Sequence, residues 1–81
     1  EKLVAYAYKN RGRSKNNLDK NGCPDIIKGF NLILTALNSK KQWAGPGSGS
    51  YVDYLYDSYC VNEKDYNYYY RLWKKAYNKL Y

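Results

Sequence analysis

The sequence predicts an all-α fold, a small three- to four-helix bundle in a single domain spanning residues 1–81. Three observations carry this expectation. Ile26, Ile27, Phe30, Ile33, Leu34 and Leu37 recur every three to four residues, as one face of a helix does. Tyr66, Tyr69, Tyr70, Trp73, Tyr77 and Leu80 make a second such stripe, two heptads long. The third observation is the length: 81 residues allow one domain at most. A chain this short buries only about 60% of its unfolded surface, so it has one core and little stability to spare.

The elements follow in order. Leu3 to Lys9 holds good helix formers with Leu3, Val4 and Ala7 on one side, but the alternation Val4-Ala5-Tyr6-Ala7-Tyr8 also fits a strand. A piece this short needs tertiary support either way. Residues 9–22 read as a polar loop, because Gly12 and the pairs Asn16-Asn17 and Asn21-Gly22 are turn signals. A helix is expected over 24–42. Pro24 suits its first position, where a missing N–H is harmless, and Asp25 suits the positive end of the helix dipole. Lys40 and Lys41 suit its opposite end. Gly29, inside this helix, costs about 1 kcal/mol relative to alanine, and a close helix crossing is the natural reason for it.

The stretch Ala44-Gly45-Pro46-Gly47-Ser48-Gly49-Ser50 is unlike the rest of the chain. It reads as a flexible linker at 44–50, of the kind engineered to replace a longer loop. A natural flexible loop is the alternative. Beyond it, Tyr51, Val52, Leu55, Tyr56 and Tyr59 predict a helix over 51–60. Asn62 is a candidate cap for the last helix, with Glu63 and Asp65 in its first turn.

Composition narrows the function classes. Lys, Asn and Tyr make up 32 of the 81 residues, and all three have codons rich in A and T. The bias points to an AT-rich genome, such as that of a parasite or virus. The chain opens on Glu1 and has no methionine, as a fragment or processed form would. No run of about 18 apolar residues is present to span a membrane. With no histidine, the usual side-chain base near neutral pH is missing. Two cysteines alone do not supply the four ligands of a zinc site, and no phosphate- or dinucleotide-binding motif appears. The expectation is a non-enzymatic protein with no catalytic residues, no metal site and no cofactor. Cys23 and Cys60 either pair as a disulfide or remain buried free thiols. A disulfide would favour a secreted, exported or surface-exposed protein.

Binding is the remaining class. The net charge is +7, and it is unevenly divided. Residues 1–43 carry +6, and within the 9–22 segment Lys9, Arg11, Arg13, Lys15 and Lys20 oppose only Asp19. Tyr8, Trp43, Tyr68 and Tyr81 lie off the apolar stripes and are available for contact. Tyrosine and tryptophan offer rigid area and one hydrogen bond each, which suits interaction hot spots. The expected partner-binding residues are therefore Arg11, Arg13, Lys15, Trp43, Tyr68 and Lys75. The expected partner is a protein, in particular an acidic segment. Nucleic acid bound through residues 9–20 is the alternative, and an anionic membrane surface is a third.

The segment Glu1-Lys-Leu-Val-Ala-Tyr-Ala-Tyr-Lys9 is similar to a helix of the KIX-type coactivator domains, which bind activation-domain helices. Tyr68-Tyr69-Tyr70-Arg71-Leu72, with Lys75 and Tyr77, resembles the tyrosine-rich last helix of the same domains. Together the two cover about a quarter of the chain. They are near neighbours in that family and far apart here. The likeness is therefore one of helix composition, and no site residue is carried over.

Overall fold

A computed structural model describes residues 2–80. Among them the chain forms α1 (Lys2–Asn17), α2 (Cys23–Asn38), a 3-10 turn at Gln42–Ala44, α3 (Ser48–Asp57) and α4 (Glu63–Leu80), and no strand. This is the small all-α bundle that the sequence predicts. The expected stripe on α2 is its centre, packed by α1, α3 and α4. Ile26, Phe30, Ile33 and Leu37 of α2 are sealed against Tyr51, Val52 and Leu55 of α3. Each large apolar side chain buried this fully stabilises the fold by about 1.5–3 kcal/mol. The α4 stripe closes the other side, with Tyr69 set edge-on to Phe30 at 5.7 Å.

The largest departure from expectation is at the N-terminus. Residues 9–22 are not a polar loop. The helix that begins at Lys2 continues through Gly12 to Asn17, and only residues 18–22 connect it to α2. Gly12 is in the helix because it touches α2, not because the chain turns there. A Cβ at Gly12 would strike the Gly22 carbonyl oxygen and Ile26, and one at Gly29 would strike the Ala5 carbonyl oxygen and the Tyr51 hydroxyl. Ala5 thus faces Gly29, and Gly12 faces Gly22, so the two helices run antiparallel with backbones in contact at two points. The crossing expected at Gly29 is there, and α1 makes it. Packing on α2 supplies what weak local propensity does not.

Three helices end in the same way. Asp19, Lys40 and Tyr59 adopt positive φ of 58°, 59° and 60°. The next residue's N–H then reaches back to the last turn: Lys20 to Lys15 O, Lys41 to Ala36 O, and Cys60 to Leu55 O. This is the Schellman closure, which glycine normally provides. It ends α2 at Asn38, short of the predicted 42. The cap at Asn62 forms as expected, its Oδ1 accepting from the Asp65 N–H at 2.8 Å.

The Gly/Ser block is not a free linker. Gly47 has φ 78° and turns the chain, and Ser48 starts α3 three residues before the predicted 51. Ser48 is 1% exposed. Its hydroxyl donates to the Gly45 carbonyl at 2.8 Å and accepts from Trp73 Nε1 at 2.8 Å. The first bond closes the block on itself and the second ties it to α4.

Cys23 and Cys60 form a disulfide, with Cα atoms 5.3 Å apart. It pins the start of α2 to the α3–α4 junction. Closing a loop of 37 residues removes enough unfolded-state entropy to stabilise the fold by about 4 kcal/mol in the chain-entropy account.

Candidate functional site

Because α1 buries Ala5 and Gly12 against α2, the residues beside them form a partly exposed flank along the α1–α2 seam. Val4, Ala7, Tyr8 and Arg11 recur at helical spacing and line an open hollow of about 260 Å³. Leu3 beside them is 81% exposed. Two cations stand over the Tyr8 ring: the Arg11 guanidinium at 5.1 Å and, from α2, Lys28 Nζ at 4.9 Å. The face is thus apolar, aromatic and positively charged at once.

Arg11 and Lys15 meet on one carboxylate of α2. Arg11 Nε and Nη2 donate to the two oxygens of Asp25 at 3.1 and 2.8 Å. Lys15 Nζ lies 2.8 Å from Asp25 Oδ2. The paired guanidinium, and after it the ammonium, hold the Asp25 carboxyl well below the usual carboxylate range. The same hydrogen bond raises the Arg11 guanidinium further above its ordinary value. Lys9 is on the opposite flank. Its Nζ sits 4.8–5.5 Å from the rings of Tyr54, Tyr51 and Tyr6. Partial burial lowers its pKa, and repulsion from Arg13 adds to the effect.

The six residues expected to bind a partner are dispersed. Arg11 and Lys15 are brought together, but by a structural ion pair. Arg13 is exposed on the Lys9 flank. Trp43, half-buried on the 3-10 turn, lines a separate hollow of about 540 Å³ with Leu32, Thr35, Ala36, Ser39 and Lys41. Tyr68 is 53% exposed on α4, its ring 5.6 Å from that of Tyr69. Lys75 is exposed on the same helix. Among the described residues no contact joins the α1 cations to Trp43, Tyr68 or Lys75. Tyr81 and Glu1 lie outside the described residues. Sequence reading did not place Val4, Ala7 and Lys28 at a site, and it noted Tyr8 as available for contact without including it among the expected binding residues. Val4, Ala7, Tyr8 and Arg11 stand at offsets of 0, 3, 4 and 7, a signal hidden by ending the helix at Lys9.

A second cleft opens where α3 meets α4. Asp53, Tyr56, Asp57, Glu63, Tyr66 and Asn67 line a space of about 510 Å³. Tyr66 Oη donates to Asp53 Oδ1 at 2.7 Å, and this bond pushes the Tyr66 phenol up to about 12. Its ring stands 5.4 Å from that of Tyr56 and 6.1 Å from that of Tyr70.

Among the described residues, no group of three or more carboxylates or cysteines could hold a metal ion, and no helix is long and apolar enough to cross a membrane. No protein-family model, curated protein or solved structure matches this chain.

Proposed function

We propose that this chain is a non-enzymatic interaction module that docks an acidic, amphipathic segment of a partner protein on the outward face of α1. One observation carries the reading. From Lys2 to Asn17 the helix bears five cations, two of them paired with Asp25 of α2, and no carboxylate, while Leu3 and Val4 are exposed beside the half-buried Tyr8. An amphipathic partner helix laid along such a face buries its apolar anchors and meets cations at its edges. Complementary charge would steer the encounter and set the register, while Tyr8 and Val4 supply the buried area. The disulfide suits a protein that works in an oxidising compartment, secreted or at a surface.

Nucleic acid is the second reading, favoured by the same five cations. Two of them, Arg11 and Lys15, are already committed to Asp25, which leaves fewer for either anionic partner, and the exposed Leu3 and Val4 favour the amphipathic segment. One experiment separates the readings. A labelled acidic amphipathic peptide and labelled single- and double-stranded oligonucleotides are titrated in turn, from low to physiological salt. The peptide is expected to bind at physiological salt, and Val4→Asp or Tyr8→Ala to weaken it about tenfold or more. Oligonucleotide binding that survives physiological salt, with a steep salt slope, would replace the protein reading with the nucleic-acid one.

A further inference from the structure

We propose that the cleft between α3 and α4 is a second docking site of opposite sign, one that receives an arginine-bearing basic segment of a partner protein. Charge complementarity selects the occupant. The chain has 14 lysines and arginines for seven carboxylates, so any carboxylate could have found a cation. Both ion pairs among the described residues go to Asp25 instead. Asp53, Asp57 and Glu63 gather on one cleft with no cation among its lining residues. Asp53 accepts one hydrogen bond from Tyr66, and none of the three carboxylates facing this space has a cation partner, so a bound cation is attracted by all three.

The rings make the preference narrower than charge alone. Tyr56 and Tyr66 line the cleft as a tilted ring pair, Tyr56 46% exposed, and Tyr70 backs Tyr66 from outside it. Tyr66 is held in place by its bond to Asp53. A guanidinium is planar, stacks on such rings, and offers paired N–H donors to a carboxylate; an ammonium does only part of this. A space of about 510 Å³ has room for the side chain and the backbone on either side of it.

The test uses the intact, disulfide-bonded chain and a labelled Gly/Ser-flanked peptide containing two arginines, read by fluorescence anisotropy at physiological salt. Parallel peptides carry lysine, or citrulline as the uncharged isostere. The arginine peptide is expected to bind, lysine to bind several-fold more weakly, and citrulline not to bind. Asp57→Asn with Glu63→Gln is expected to weaken arginine binding about tenfold. Tyr56→Leu should weaken it and reduce the preference for arginine over lysine. All three positions are exposed, and the helical circular dichroism of each variant verifies folding. Tyr8→Ala on α1 should leave this binding unchanged, so failure here is distinct from failure at α1. No binding up to about millimolar peptide, equal binding of arginine and lysine, or full binding by the neutralised variant would each overturn the proposal.

Discussion

In a solvated helix, Gly29→Ala would stabilise the chain by about 1 kcal/mol, because alanine is the better helix former. In this fold the sign should reverse. The new methyl group would meet the Ala5 carbonyl of α1 and the Tyr51 hydroxyl of α3, and it has nowhere to go. Overpacking of this kind costs about 1–3 kcal/mol. Displacing Tyr51 also breaks the 2.7 Å hydrogen bond that its buried hydroxyl donates to the Ile26 carbonyl. Leaving that hydroxyl unpaired costs about 1–3 kcal/mol more. Offset by the gain in helix propensity, the net is a loss of roughly 1–5 kcal/mol, a large part of the stability of a small domain. Urea unfolding followed by circular dichroism measures it directly. Tyr51→Phe is the companion variant: on its own it should destabilise, and on the Gly29→Ala background it should cost much less, because the clashing oxygen is gone. A double-mutant cycle then gives a coupling of about 1 kcal/mol or more. Stabilisation by Gly29→Ala, or strictly additive effects, would refute the close packing of α1, α2 and α3 at this point.

Three further outcomes are expected. Cys23→Ser with Cys60→Ser, or reduction by dithiothreitol, should lower the unfolding free energy by about 4 kcal/mol, seen as a large drop in Tm; an unchanged Tm would mean that the bridge constrains nothing. Lys40→Gly should stabilise. Relief of left-handed strain contributes about 1–2 kcal/mol, against about 0.5–1 kcal/mol for the freer unfolded glycine, a net gain of about 0–1.5 kcal/mol readable in urea midpoints. Asp25 should dominate acid sensitivity. Its pKa is lowered on folding, so its contribution is complete above the unfolded value near 4 and fades as pH falls through the folded one. Asp25→Asn should therefore be less stable than the parent at neutral pH, and the two curves should converge in acid.

The sequence by itself determined the fold class, the α2 core stripe, the α4 stripe with its Asn62 cap, and the reason for Gly29. These are local matters of period and end chemistry, and a single helix displays them whatever it packs against. The extent of α1 was decided by tertiary structure. Gly12 looks like a breaker until the Gly22 carbonyl and Ile26 are placed against it, and only that contact carries the helix on to Asn17. The same holds for the ends of α1, α2 and α3, because aspartate, lysine and tyrosine in the left-handed region leave no glycine to read. Residues 44–50 have the composition of a linker, yet Ser48 is buried because Trp73, far along the chain, needs an acceptor for its indole N–H. The candidate faces depend on the same long-range choices. Arg11 and Lys15 look like free cations in sequence, and become a structural pair only when α2 brings Asp25 to them. Tyr8 and Val4 flank the α1–α2 seam only because Ala5 and Gly12 are small enough for α1 to seat closely on α2.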